Sequence, residues 1–289
     1  MFAIYLLALI AFINANEFEL FENNDIYDEV RDSRNLTGKV VLVTGSSSGI
    51  GEQIVKLFSA LGASVVVTGI NDTDIQRVVQ ETQELSPHKL KPLGVTADLT
   101  KMAELDHLLD ETIKTFGKLD VLVNNAGLYL LASIADKRFL DIFDEFEKVD
   151  TRAALQLIQN AIPYLGRTNG TIINVSSVLT ERPQKSMLAY EMAKQALELS
   201  TEILSLELAP QGIRANTISQ GAVQSHPLNQ TDPIAVARYN NSVSHTPLAR
   251  IGVPIDIAKG VVFLASSDAD FITGHNLVVD GGIRYNMDS

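Results

Sequence analysis

What most constrains this chain is the recurrence of short apolar runs with helical stretches between them. Residues 40–43 (Val-Val-Leu-Val), 64–67, 93–95, 121–123, 171–175, 214–218 and 275–279 form such runs, most of them rich in Val, Ile and Leu. Continuous rather than alternating apolar runs mark strands covered on both faces. Residues 50–61, 102–116, 139–165, 190–208 and 255–265 carry amphipathic helical patterns between them. Strands alternating with helices of that length imply right-handed crossovers and a parallel sheet. The expected fold class is α/β: a doubly wound sheet of about seven parallel strands with helices on both faces. Ligands of such sheets bind beyond the carboxyl ends of the strands.

The flanks read differently. Residues 1–13 are almost wholly apolar, but shorter than the about 20 residues a membrane-spanning helix needs. With Asn14-Ala15 behind them they fit a signal peptide over residues 1–15, which places the chain in the secretory pathway. The alternative is an N-terminal membrane anchor. Residues 16–35 are acidic and irregular, with Glu17, Glu19, Glu22, Asp25, Asp28, Glu29 and Asp32, and read as a solvated lead-in. Residues 36–289 then form a single domain, in which 221–250, with Pro227, Pro233 and Pro247, reads as a mobile loop with room for a short helix, placed to cover a substrate. Six acceptor sequons, at Asn35, Asn71, Asn169, Asn174, Asn229 and Asn240, accompany the secretory reading. Asn174 fits it poorly, since it lies in a strand pattern; so does Asn71, where a nucleotide should bind.

Charge and residue usage exclude several functions. There are 35 acidic against 23 basic residues, a net charge of −12, and such a surface repels nucleic-acid backbones. No cysteine is present, so disulfides, thiolate catalysis and Cys-ligated zinc are ruled out. His88, His107, His226, His245 and His275 are too scattered for a local metal motif, and no metal is expected.

Two segments carry chemistry. Thr44-Gly45-Ser46-Ser47-Ser48-Gly49-Ile50-Gly51 joins the first strand to the first helix. Gly45 permits a tight turn, Gly49 lets backbone approach a pyrophosphate, and Gly51 lets the helix pack closely. The helix start at Ile50 offers free N–H groups to phosphates, and the Ser46 and Ser48 hydroxyls add donors. Farther along, Tyr190 and Lys194 stand four apart on one helix face. An ammonium beside a phenol favours the phenolate and makes Tyr a usable acid/base. Ser177 follows the fifth strand, 13 residues before Tyr190.

These motifs, in this order, resemble the short-chain dehydrogenase/reductase family, over about residues 36–282. The resemblance adds Asp98 after the third strand, Asn124-Asn125-Ala126-Gly127 after the fourth and Val279-Asp280-Gly281-Gly282 near the end. Around Pro247-Leu248-Ala249-Arg250-Ile251-Gly252 the chain looks most like the oxoacyl-carrier-protein-reductase-like members. What the resemblance implies is a Rossmann-type NAD(P)-dependent oxidoreductase acting on a small-molecule carbonyl or secondary alcohol. Tyr190 would be the acid/base, Ser177 would bind the substrate oxygen, and Lys194 would assist Tyr190 and hold the nicotinamide ribose. The implied cofactor set is Gly45, Ser46, Ser48, Gly49, Ile50, Gly51, Asn71, Asp98 (beside the adenine), Asn125, Ala126, Gly127, Tyr190, Lys194, Gly221, Val223 and Ser225. Family members commonly form homodimers or homotetramers through helices matching 139–165 and 190–208.

Three positions depart from the family pattern. Asp150 stands where an Asn usually serves a proton relay to the lysine, and an ionised Asp150 would make Tyr190 less acidic. Gln220-Gly221 replaces a common Pro-Gly, and Ser225 replaces a Thr. At the end of the second strand, Thr68-Gly69-Ile70-Asn71 holds neither the acid that selects NAD nor the Arg that selects NADP; its form is closer to the NADP type. NADP is therefore expected, with NAD the alternative. The rival functional reading is a catalytically impaired nucleotide-binding or interaction protein.

Overall fold

Seven strands form one sheet: β1 (Val40–Val43), β2 (Ser64–Gly69), β3 (Leu93–Thr96), β4 (Val121–Asn124), β5 (Thr171–Ser177), β6 (Arg214–Gln220) and β7 (Asn276–Val279). The computed structural model describes residues 25–226 and 228–286. Every pairing is parallel, in the order β3-β2-β1-β4-β5-β6-β7. The strand order reverses between β1 and β4. The loops that leave these two neighbours diverge and open a crevice at the carboxyl edge, where such sheets take their ligands.

Two apolar layers explain the unbroken runs. Within β1, Val41 and Val43 face one layer, with Ile54 and Phe58 of α2 (Gly49–Ala60) and Ile257 and Val261 of α9 (Pro254–Ala265). Val40 and Leu42 face the other, with Leu105 and Leu108 of α4 (Met102–Phe116), Leu157 and Ile158 of α6 (Ala153–Thr168) and Leu208 of α7 (Leu188–Leu208). Alternate side chains of a strand point to opposite faces, so a strand covered twice carries no polar alternation.

The structure departs from the sequence reading in three places. A helix, α3 (Asp72–Leu85), fills the crossover between β2 and β3, where none was read. Its sequence is mostly polar, and only Ile75, Val78, Val79 and Thr82 are buried; so narrow a stripe is a weak periodic signal. The acidic lead-in is not wholly irregular, since Asp25–Asp32 form a helix, α1. The pattern over 139–165 is not one helix: α5 (Phe139–Phe146) passes through a π-helical turn, Glu147–Arg152, into α6. The stretch 221–250, read as a loop with room for a short helix, contains the helix α8 (Pro233–His245). Residues 1–15, read as a signal peptide, lie outside the described residues. No helix among the described residues is long and apolar enough to cross a membrane.

Candidate active site

The crevice is built around the turn after β1. Gly45 and Gly49 both have positive φ, +62° and +58°, a conformation that glycine adopts without strain. A Cβ on Gly45 would come within 2.9 Å of Ala126 Cα, and one on Gly51 would overlap the Gly45 carbonyl. The loop after β4 holds this turn in place. Thr44 Oγ1 accepts from Asn125 N and Ala126 N at 3.0 Å, and Asn125 Nδ2 donates to Thr44 O at 3.0 Å and Gly45 O at 3.3 Å. Ser48 caps α2 in extended conformation, and its side chain bonds none of the first-turn N–H groups. Those donors, with the partial positive charge of the helix end, face the crevice. Across the gap lie Ser225 and His226: a Cβ on Gly49 would stand 3.4 Å from Ser225 Cβ and 3.9 Å from His226 Cε1. Bare backbone and free N–H groups, with the Ser225 hydroxyl opposite, fit a pyrophosphate.

The catalytic candidates converge at the other end of the crevice. Ser177 ends β5, whereas Tyr190 and Lys194 lie on the first turns of α7, and all three are buried. Lys194 Nζ donates to Val175 O at 3.1 Å and pairs with Asp150 Oδ1 at 3.0 Å. The other Asp150 oxygen accepts from Leu128 N at 3.0 Å. The π-helical turn is what presents Asp150 here; one extra residue in a turn redirects a side chain that a regular helix would aim elsewhere. Gly127 is required at this point, because a Cβ there would lie 2.6 Å from Asp150 Oδ1 and 2.9 Å from Lys194 Nζ.

The electrostatics follow from burial and these pairs. Burial pushes the Tyr190 phenol above its ordinary pKa; Lys194 and a hydrogen bond with Ser177 pull it down, while Asp150 and Tyr129 add to the rise. Burial by itself would lower the Lys194 ammonium, yet Asp150 and Tyr190 outweigh it and hold the lysine above its ordinary value. Tyr190 is packed edge-on by Phe146 and by Tyr129, with centroids at 6.0 and 5.8 Å. The arrangement is a buried phenol with one hydroxyl partner and one fixed cation, suited to passing a proton to or from a substrate oxygen.

The other residues read as cofactor contacts are placed as follows. Gly45, Gly49, Gly51 and Ala126 meet at the turn, Gly127 lies against Asp150 and Lys194, Ser225 faces Gly49, Val223 forms a bridge to Gly252, and Ile50 packs against the apolar core. Gly221 packs against Asp280, and Ser48 is exposed at the helix start. Asn125 reaches the crevice as a brace for the loop. Asp98 turns its carboxylate to Thr100 N and Oγ1 (3.0 and 2.7 Å), which hold its pKa down, and so organises the start of α4.

Two placements differ from expectation. The Ser46 hydroxyl is fully buried, donating to Val43 O and accepting from Thr68 N, and its N–H donates to Thr68 O. It braces β1 against β2 and has no donor left for a phosphate. Asn71 Oδ1 accepts from Thr73 N and Asp74 N as the N-cap of α3, a role invisible while that helix went unread. Two residues that the sequence did not single out stand beside it. Ser47 fills the space a side chain at 69 would need, since a Cβ on Gly69 would overlap its hydroxyl. Arg77, from α3, donates to Ser47 O at 3.2 Å and to Glu52 Oε2 at 2.9 Å.

A dinucleotide-type crevice joined to a Ser-Tyr-Lys cluster defines a class of α/β oxidoreductases, and comparison with known proteins agrees. Residues 45–284 match the family described as enoyl-(acyl carrier protein) reductase. The 3-oxoacyl-[acyl-carrier-protein] reductase of Thermotoga maritima is 30% identical over 86% of this chain and 98% of its own. The L-fucose dehydrogenase of Mus musculus is 36% identical over 85% of this chain and 88% of its own. A 7α-hydroxysteroid dehydrogenase, solved with NADH and 7-oxo glycochenodeoxycholic acid, superposes with a TM-score of 0.81 at 31% identity, covering 87% of this chain and 96% of that one. The chain belongs to the short-chain dehydrogenase/reductase family of oxidoreductases.

Proposed function

We propose that the protein transfers hydride between a nicotinamide dinucleotide and a small-molecule carbonyl or secondary alcohol, with Tyr190 as general acid/base. The observation that carries this reading is the buried convergence of Ser177, Tyr190 and Lys194 at the mouth of the phosphate crevice. The bound nicotinamide supplies or accepts the hydride. Ser177 orients the substrate oxygen beside the Tyr190 hydroxyl. Tyr190 gives that oxygen its proton in reduction and removes it in oxidation. Lys194, fixed by Asp150 and the Val175 carbonyl, keeps positive charge beside the phenol. Phe146, fully buried, packs edge-on against the buried Tyr190 ring and shields it from water on that side.

For the nucleotide we read NADP(H), with NAD(H) the alternative. Ser47 leaves no room for the carboxylate that would select NAD at position 69. Arg77 supplies a guanidinium next to the Ser47 carbonyl. Lys56 shares Glu52 and Glu81 with it, at 2.5 and 2.6 Å, so the carboxylates stay paired if Arg77 turns toward a 2′-phosphate. The test is thermal unfolding of residues 16–289 with matched NADPH, NADH, NADP and NAD. A ligand at about 100 times its Kd should add roughly 2.7 kcal/mol of stability. Arg77→Ala should weaken NADPH at least about tenfold more than NADH. A folded sample that none of the four stabilises overturns the oxidoreductase reading.

An assembly of two or four copies fits the surface. Leu199, Ile203 and Leu206 stand exposed along α7, and Leu155 along α6. Light scattering that gives a monomer at micromolar concentration would refute it. We also propose that residues 1–15 are a cleaved signal peptide that takes the chain into the secretory pathway; N-terminal sequencing of the protein from a secretory host, with Met1 retained, would overturn the cleavage.

A further inference from the structure

We propose that Glu198 is a positioning residue that holds Ser177 and α7 in register for the proton transfer, a role that rests on the oxidoreductase reading above. One of its carboxylate oxygens, Oε1, receives three hydroxyls from three separate pieces of chain. Ser176 Oγ donates to it at 2.6 Å, from the last residues of β5. Thr180 Oγ1 donates at 2.9 Å, from the 3₁₀ turn Val178–Thr180 that follows. Ser219 Oγ donates at 3.0 Å, from β6. Glu198 itself lies one helical turn beyond Lys194 on α7, so the side chain that gathers the strand ends belongs to the helix that carries Tyr190 and Lys194.

The contacts reach Ser177 from both sides. Ser176 is its chain neighbour, fully buried, and its hydroxyl also lies 3.3 Å from Lys194 O. Thr180 Oγ1 lies 2.7 Å from Ser177 O as well as 2.9 Å from Glu198, and its single proton is shared between the two. Ser177 Oγ in turn accepts from Leu179 N at 3.2 Å. The backbone of Ser177 is thereby pinned to the helix bearing Tyr190 through one acceptor. Farther down the same interface, Asn174 Nδ2 donates to Thr201 Oγ1 and Thr217 Oγ1 to the same oxygen, both at 2.9 Å. These pairs join strand to helix but do not reach the site, so Glu198 is the member of this polar seam with catalytic consequence. A carboxylate accepting several hydroxyls gives short, charge-assisted bonds; without it the buried Ser219 hydroxyl loses its acceptor, while Ser176 Oγ keeps only Lys194 O and Thr180 Oγ1 only Ser177 O, so the tie between α7 and the end of β5 is reduced.

The variants Glu198→Ala and Glu198→Gln separate positioning from plain support of the fold, because Gln keeps an oxygen acceptor of the same reach. Amide hydrogen exchange by mass spectrometry, on the NADPH-bound protein and again without nucleotide, reads the segment 176–182. In Glu198→Ala this segment should exchange at least about tenfold faster, with 45–52 unchanged, and Glu198→Gln should restore protection. With the carbonyl substrate the wild type reduces fastest among a 3-oxoacyl thioester, a 7-oxo bile acid and an aromatic aldehyde, kcat of Glu198→Ala should fall about tenfold or more. KM for NADPH should stay within about threefold. Unchanged exchange at 176–182 overturns the proposal. So does loosening that spreads equally to 45–52, or a Gln variant no better than Ala. If the wild type binds neither NADPH nor NADH and reduces no probe with either, the oxidoreductase reading fails, and exchange in the nucleotide-free protein still decides whether Glu198 orders this segment.

Discussion

Replacing Asp150 by Asn probes the electrostatics of the site most directly. The carboxylate stands 3.0 Å from Lys194 Nζ, and that nitrogen lies 5.8 Å from the centre of the Tyr190 ring, so Asp150 is within about 9 Å of the phenol. All three side chains are buried, so solvent screens little of the interaction. At an effective dielectric constant of ~20, a unit charge at that distance opposes the phenolate by about 2 kcal/mol, and at ~40 by about 1 kcal/mol. One pH unit corresponds to about 1.4 kcal/mol. The sign is fixed: burial pushes the Tyr190 pKa up, Asp150 adds to that rise, and removing the charge brings it down. Alcohol oxidation needs the phenol deprotonated, so its acid limb should move about one pH unit lower in Asp150→Asn. At a fixed pH on that limb, kcat/KM of the variant should exceed that of the wild type roughly fivefold to thirtyfold. In the reduction direction the alkaline limb should move down by the same amount. An opposing effect makes the outcome informative. Asn leaves the Lys194 ammonium buried without its carboxylate, and a lysine that then lost its proton would move the profile toward alkali. An unmoved or alkaline-shifted profile, in a variant that still binds the dinucleotide with wild-type affinity, refutes the assignment of Asp150 as a residue that adds to the rise burial imposes on Tyr190.

Further variants test the remaining geometry. Tyr190→Phe should lower kcat by about 10²–10⁴ while dinucleotide Kd, by fluorescence titration, changes less than about threefold; wild-type turnover would remove Tyr190 from proton transfer. Gly127→Ala sets a methyl 2.6 Å from Asp150 Oδ1. Overpacking of about 1–3 kcal/mol should lower Tm by roughly 2–12 °C, and an unchanged Tm would mean the contact relaxes freely. Asn174 is fully buried, donates to Thr201 Oγ1 and accepts from Asn124 Nδ2. Expressed through a secretory host, the folded protein should carry no glycan there, although Asn35, Asn229 and Asn240 are exposed; a modified Asn174 in the dinucleotide-binding fraction would contradict the structure.

The parts of this protein legible in its sequence are those where one physical demand dominates. Double burial demands unbroken Val and Leu in β1, the middle of β2 and most of β4, so these strands stood out, and Met102–Phe116 appeared with the bounds it has in the fold. Glycines forced by positive φ or close approach, at 45, 49 and 51, were legible for the same reason, whereas Gly127 entered only through the family resemblance. What stayed hidden depends on elements whose signal is weak. With α3 unread, Asn71 looked like a ligand and not a cap, and Arg77 had no address near the phosphate turn. Ser46 and Ser48 are equivalent as letters, yet the turn buries one hydroxyl and exposes the other.

The π-helical turn shows the limit most clearly. Periodicity reported one helix over 139–165, and the irregularity within it is what brings Asp150 against Lys194. That contact joins the sequence departure to its consequence. An Asn in the same place would present one oxygen and one amide, so it could brace Leu128 N but would offer the ammonium no charge. The Asp offers an oxygen to each, at 3.0 Å to both. The chain has thereby traded a neutral relay position for a buried ion pair, and a buried pair is retained only where its desolvation cost is offset. Here both carboxylate oxygens and the lysine are engaged, which makes the substitution compatible with the fold and moves its effect onto the acidity of Tyr190.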